Sequence, residues 1–277
     1  MTSGSRVFQF LTHDGGFPLT SGFVVDQRAD PAPAPLEAVL DLAKLANRPA
    51  NACAFGKIAL ISADGISTFQ SLPDNRLTPS FCGNSTAAAV HCMAAAGEDV
   101  ISRVHGASSI SYSLTASIDK DIIRQSWLLP APVVEEIEWH GRRVLLLRSL
   151  NDYAIVLGDI PAGMSPEMAR TELLGLGGCT KLAVVTDGGN LPSVQFYNSN
   201  GQHGAVPQTG LASLALASRC TPRLADVLSD GFVSYLTTAG IQKAALPELD
   251  QSGSDNLTLT IGPISVGCEP VASRAAA

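Results

Sequence analysis

The run Ser80-Phe81-Cys82-Gly83-Asn84-Ser85-Thr86-Ala87-Ala88-Ala89-Val90 sets a thiol, a glycine and two helix-capping residue types directly ahead of an alanine-rich stretch. Asn84 or Ser85 is expected to cap a helix there, leaving the N–H groups of its first turn pointing outward. Aligned peptide dipoles put partial positive charge at such an end, which favours a bound carboxylate beside a reactive thiol. An ordinary capped helix with a half-buried cysteine fits the same residues. A second stretch, Gln208-Thr209-Gly210-Leu211-Ala212-Ser213-Leu214-Ala215-Leu216-Ala217, mirrors the first, with Thr209 where Cys82 stands. A thiol can act as acid or base near neutral pH, whereas an unassisted threonine hydroxyl cannot.

The elements that would position these groups also repeat. Gly56-Lys57-Ile58-Ala59-Leu60-Ile61-Ser62 reads as a buried strand, Asp64-Gly65 as its turn and Ile66 to Leu72 as the returning strand. Lys181-Leu182-Ala183-Val184-Val185-Thr186-Asp187 mirrors that strand, with Gly188-Gly189 at the turn. Lys57 and Lys181 are 124 positions apart and Cys82 and Thr209 are 127 apart, which points to one duplicated unit. The expected halves are residues 1–135 and 136–277, packed about a pseudo-twofold axis so that the two helix N-termini face each other across a cleft.

Strands are expected at Arg6 to Leu11, Gly22 to Asp26, Ile110 to Ser117, Ile122 to Leu129, Val133 to Trp139, Val144 to Leu150, Tyr153 to Leu157, Gly231 to Thr238 and Asn256 to Ile261. Helices are expected at Leu36 to Ala46, from Phe81 through Met93 to a stop at Gly97, and at Ser165 to Leu174 with Ser165 as cap and Glu167 in the first turn. Loops are expected at Asp14 to Pro18, Asp30 to Pro35 and Pro73 to Arg76, and a frayed tail from Glu269. The fold class is therefore α+β: two similar, mixed and mostly antiparallel sheet domains, each wrapped round a central helix.

The 277 residues are 45% hydrophobic and 16% charged, with a formal net charge of −7. Ample apolar surface is available for burial, and the longest basic cluster is the pair Arg142-Arg143, which argues against nucleic-acid or anionic-membrane partners. No stretch approaches about 20 uninterrupted apolar residues and no signal-peptide pattern opens the chain, so a cytoplasmic location is expected. The six cysteines show no CxxC and the five histidines no HExxH, so no metal or other cofactor is expected. The expected partner is a small carboxylic-acid substrate, and a homodimer is left open.

Cys82-Gly83-Asn84 followed by small residues resembles the first catalytic motif of the diaminopimelate-epimerase superfamily. Within it, the chain looks most like the 2-methylaconitate cis-trans isomerase and methylitaconate Δ-isomerase branch. The resemblance is carried by Gly15-Gly16, Thr20-Ser21-Gly22, Gly56-Lys57 with the strand that follows, Cys82-Gly83-Asn84 and Thr209-Gly210. It implies duplicated halves and cofactor-independent proton transfer next to a carboxylate, with Lys57 and Cys82 as the proton-transfer groups. It also implies substrate contacts from Ser21, Gly83, Asn84, Ser85, His203, Thr209, Gly210 and Leu211. A lysine desolvated in a cleft can act as a base, which suits Lys57; a strand-edge lysine in water is the alternative.

The leading expectation is thus an isomerase moving a double bond in a small unsaturated acid by a 1,3-proton shift. An amino-acid racemase or epimerase is the second, disfavoured by Thr209 in place of a second thiol. A carboxylate-binding accessory protein that has lost the reaction is the third, motivated by Phe17-Pro18-Leu19 inserted between Gly15-Gly16 and Thr20-Ser21.

Overall fold

The computed structural model describes residues 6–13, 20–29, 57–71, 77–100, 102–106, 111–130, 132–199, 201–203, 207–220, 228–229, 232–237, 240–245, 248–249 and 256–271. The Gly15-Gly16 segment, the loop from Asp30, the helix expected at Leu36 to Ala46 and the Pro73 to Arg76 turn lie outside these. In chain order the elements begin with β1 (Arg6–His13), β2 (Thr20–Asp26), β3 (Lys57–Ser62), β4 (Gly65–Ser71), β5 (Leu77–Pro79) and α1 (Gly83–Ala95). They continue with β6 (Arg103–His105), β7 (Ser111–Asp119), β8 (Ile122–Leu129), β9 (Val133–Trp139), β10 (Arg142–Arg148), β11 (Tyr153–Leu157) and α2 (Pro166–Gly177). Then come β12 (Lys181–Thr186), β13 (Ser193–Asn198), β14 (Gly201–Gln202), α3 (Gln208–Cys220), β15 (Leu228–Ser229), β16 (Phe232–Thr237), β17 (Gly240–Ala245), β18 (Glu248–Leu249) and β19 (Leu257–Pro270).

The chain forms two units. The first runs to Ser126 and takes up the chain again from Gly262; the second is Trp127–Ile261. Two consecutive halves meeting at 135 and 136 were the expectation, and the return of the C-terminal strand has a simple cause. In the first unit β1-β2-β3-β4-β6-β7-β8-β19 follow one another round a sheet that closes by pairing β19 with β1, so the last strand covers both edges that β1 and β8 would otherwise leave open. The 14-residue β19 runs well past the expected end at Ile261. Gly262 permits this, because a Cβ there would sit 2.9 Å from the Ile123 carbonyl oxygen.

Helix α1 packs on β1, β2, β3 and β4 and is buried nearly all round: Gly83, Ser85, Thr86, Ala87, Ala88, Ala89, Val90, Cys92 and Met93 are inaccessible. A helix with no polar face belongs inside a protein, and the alanine run keeps it thin enough to be enclosed. Its start corrects the expected cap. Cys82 is the N-cap residue: its carbonyl accepts the first helical bond, from the Thr86 N–H, and one from the Thr86 Oγ1, both at 3.0 Å, while its side chain makes no capping hydrogen bond. Asn84 and Ser85 therefore lie inside the first turn. At the other end Gly97, at φ +70°, ends the helix as expected.

The second unit repeats the pairing pattern. The series β1–β2 antiparallel, β2–β3 parallel, β3–β4 antiparallel, β4–β5 antiparallel, β4–β6 parallel and β6–β7 antiparallel recurs as β10–β11, β11–β12, β12–β13, β13–β14, β13–β16 and β16–β17 in the same senses. The helix after β14, α3, buries Leu211 through Ser218 as α1 buries its alanines. Helix α2 is amphipathic: Ala169 and Leu173 join Leu146, Val156, Leu182 and Val184 in one core, and Ser165 caps it by accepting from the Met168 N–H at 3.2 Å. Several strands the sequence left unread, β5, β6, β14, β15 and β18, have only two or three residues, too few for alternation to register.

An ion network centred on a buried carboxylate braces the first unit. The Asp26 carboxylate, 5% exposed, accepts from the Arg28 Nη2 at 2.9 Å, Nε at 3.0 Å and N–H at 3.1 Å and from Arg6, and both arginines also bond Glu98 just past the end of α1. Burial pushes the Asp26 carboxyl up, but the hydrogen bonds from Arg28 and Arg6 outweigh it and hold the group below its ordinary value of 3.8. A folded-state pKa below the unfolded one stabilises above the unfolded value, and that contribution disappears as pH falls through the folded value. Asp26→Asn is expected to lose about 2–3 kcal/mol at pH 7. Urea titrations should show the gap between wild type and variant closing below about pH 4.

Candidate active site

Strand β3 alternates. Ile58 and Leu60 join Phe23, Val25 and Phe69 on one face, and Lys57 shares the other face with the fully buried Ala59 and Ile61. The β3–β4 hairpin sets Gln70 directly opposite Lys57, and the Lys57 Nζ donates to the Gln70 Oε1 at 2.9 Å. Gln70 is itself buried. Desolvation by burial pulls the Lys57 pKa below its ordinary 10.5, and Cys82 lies close enough to act electrostatically in the opposite direction. The strand lysine and the helix-cap cysteine therefore occupy one locality of the first unit.

Thr68, on the same face of β4 as Gln70, fixes the approach to α1. Its Oγ1 donates to the Ser80 carbonyl at 2.8 Å and accepts from the Cys82 N–H at 3.1 Å. The Gln125 Nε2 on β8 donates to the Gly83 carbonyl at 2.9 Å, and the Asn84 Nδ2 donates to the Thr20 Oγ1 at 2.9 Å. The cap loop is thus tied to β2, β4 and β8. Around it Ser80 Oγ, Asn84 Oδ1, Ser85 Oγ and Gln125 Oε1 are buried without a protein partner. Orphaned buried polar atoms are rare in folded proteins, and a bound polar ligand is one thing that satisfies them.

Ser21 follows Thr20 on β2, so strand alternation places it on the face opposite the one that meets Asn84. Thr20, not Ser21, reaches the cap loop. Gly22 is next, in parallel register with Lys57; a Cβ there would fall 2.0 Å from the Lys57 carbonyl oxygen and 2.9 Å from the Phe10 ring.

The corresponding place in the second unit is built differently. Tyr153 stands in register with Lys181 as Gly22 does with Lys57, and the Lys181 Nζ lies 5.8 Å from the Tyr153 ring centroid. Tyr153 is buried, which raises its phenol pKa, and its side chain hydrogen-bonds Thr209 at the start of α3. Gly210 meets the Phe196 ring, where a Cβ would come within 2.6 Å, and Leu211 is buried beside it. The His203 N–H donates to the Phe196 carbonyl at 2.7 Å. The residues named from sequence thus form two groups: Lys57, Cys82, Gly83, Asn84 and Ser85 in the first unit, and His203, Thr209, Gly210 and Leu211 in the second.

Sequence reasoning did not assign Gln70, Thr68, Thr20, Gln125 or Tyr153 to the site. For Gln70 the signal was present: a tight turn at Asp64-Gly65 pairs Ser62 with Gly65, and counting back puts Gln70 opposite Lys57. Gln125 could not be found this way, since β8 reaches the cap loop only through closure of the sheet. Among the described residues no group of three or more His, Cys, Asp or Glu could hold a metal ion, and no helix is long and apolar enough to cross a membrane.

No family model and no curated protein matches the chain. Solved structures do. A protein described as a predicted epimerase from Pseudomonas aeruginosa aligns with a TM-score of 0.59 at 11% identity, covering 98% of this chain and 100% of that one. A phenazine biosynthesis PhzC/PhzF protein from Clostridium difficile aligns at 0.54 and 12% identity, covering 94% and 97%. A phenazine biosynthesis PhzF-family protein from Enterococcus faecalis aligns at 0.54 and 11% identity, covering 96% and 98%. At such identities the likeness is one of architecture, and over nearly its whole length this chain has the α+β fold of diaminopimelate-epimerase-like proteins.

Proposed function

We propose that the protein is an isomerase that moves a double bond in a small unsaturated carboxylic acid by a 1,3-proton shift, without a cofactor. The observation that carries this reading is the desolvated Lys57 within electrostatic reach of Cys82, at the uncapped N-terminus of a buried helix. Lys57, held by Gln70, removes the proton next to the carboxylate. Cys82 returns one at the far end of the allylic unit. The developing negative charge is met by the N–H groups of Gly83 and Asn84, which no side chain caps. That one of the fold's relatives is described as a predicted epimerase supports proton transfer at carbon as the reaction type.

The test is to incubate the protein with a panel of unsaturated mono- and dicarboxylic acids in D₂O and follow the allylic carbon by NMR. Deuterium incorporation with double-bond migration is expected, and Cys82→Ser should slow it by about 10²-fold or more. Full activity in Cys82→Ser would overturn the assignment. Inversion of an amino acid would favour the racemase reading, and stabilisation by dicarboxylates without turnover the accessory-protein reading.

A further inference from the structure

The first unit is made of two chain segments separated by the whole of the second unit, and the pairing of β19 with its neighbours joins them. At this join two cysteines meet. Cys92, on the buried face of α1, and Cys268, on β19 opposite Phe10, place their Sγ atoms 2.6 Å apart. The two sulfurs are in direct contact, so a disulfide between them needs side-chain adjustment only. Cys92 is 5% exposed, whereas Cys268 is partly accessible, so an external reagent reaches Cys268 first. No role in proton transfer falls to either: Cys92 lies ten positions beyond Cys82, three turns down the helix.

We propose that Cys92 and Cys268 form a redox-active dithiol that closes into an intramolecular disulfide, fastening α1 to the strand that completes the first unit. With a small-molecule disulfide as oxidant, the Cys268 thiolate attacks one sulfur, forming a mixed disulfide and expelling one small thiolate. The Cys92 thiolate then attacks the Cys268 sulfur, forming the Cys92–Cys268 bond and expelling the second. Two protein thiols are oxidised, the oxidant is reduced to two thiols, and the two protein protons pass to the released thiolates. Contact with Cys268, together with burial, raises the Cys92 thiol pKa and so disfavours its thiolate; the internal step rests on the proximity of the two sulfurs, not on an acidic Cys92. The closed loop spans 176 positions and contains the second unit, so the bond constrains the unfolded chain strongly.

The full-length protein is treated with oxidised glutathione, quenched with an alkylating agent under denaturing conditions, and mapped by non-reducing peptide mass spectrometry. The expected result is a linked peptide pair containing Cys92 and Cys268 as the main product. It should be reversed by dithiothreitol, missing in Cys268→Ser, and accompanied by a rise in Tm of about 5 °C or more that Cys268→Ser does not show. Recovery of Cys92 as the alkylated thiol while Cys268 carries glutathione, or of Cys268 joined to another cysteine, would overturn the proposal. The wild-type map decides this even if variants at the buried Cys92 fail to fold.

Discussion

Lys57→Met is expected to remove deuterium exchange at the allylic carbon by about 10²- to 10⁴-fold while leaving the protein folded. Methionine matches the length of the lysine stem but has no basic nitrogen, so the loss falls on the proton-transfer step and appears in kcat. Its effect on stability has two opposing parts. The Gln70 Oε1 loses its donor, at a cost of about 1–3 kcal/mol for a buried carbonyl. Against this, a desolvated ammonium disappears. Because burial holds the folded-state pKa of Lys57 below 10.5, the unfolded chain binds more protons between the two values. Wild-type stability should therefore rise with pH across that window. In Lys57→Met this rise should be missing, so that the variant compares better with wild type below the lowered lysine value than above about 10.5. Wild-type activity should also rise with pH through the lowered lysine value, as its neutral, basic form accumulates. Retained exchange in Lys57→Met would remove lysine from the mechanism.

Gly22→Ala is expected to do more damage than its one methyl group suggests. The added Cβ would lie 2.0 Å from the carbonyl oxygen of Lys57 and 2.8 Å from its carbonyl carbon. Backbone cannot move aside as a side-chain tip can, so β2 and β3 must separate at the register point that carries the lysine. A loss of about 3 kcal/mol or more follows from such overpacking, read as a lower urea midpoint. The kinetic consequence distinguishes this residue from an ordinary core position. Assayed well below its Tm, where nearly all molecules are folded, Gly22→Ala should still lose at least about tenfold in kcat, because Lys57 is displaced from Gln70 and Cys82. A destabilised variant with undiminished kcat would show that the close approach serves packing alone.

Much of this was readable in the sequence because it is local. The buried strand at Lys57 to Ser62, the strand at Val133 to Trp139, the glycine stop at Gly97 and the Ser165 cap are short-range chemistry, and the structure places them within a residue or two of expectation, although the Ser165-capped helix runs on to Gly177, three residues past Leu174. The duplication was legible because two mirrored stretches recur in order, and the repeated pairing pattern agrees with it. The cap of α1 was misread for a physical reason: Asn84 and Ser85 favour capping, but Thr68 holds the Cys82 N–H, and Thr86 claims the Cys82 carbonyl, which starts the helix earlier.

The sequence by itself determined that a lysine strand and a cysteine-led helix occur in one half and are echoed by Lys181 and Thr209 in the other. That Thr209 lacks the thiol of Cys82 was also legible there; only the tertiary structure decided that the two lysines have unlike surroundings. Gly22 lets β2 approach the backbone of Lys57 and leaves its amine to Gln70, whereas Tyr153 fills the equivalent place, lies beneath Lys181 and hydrogen-bonds Thr209. That difference depends on which residues fall opposite each other in a parallel strand pair. Parallel partners are joined by no tight turn that would fix their register, and no window of neighbouring residues contains it.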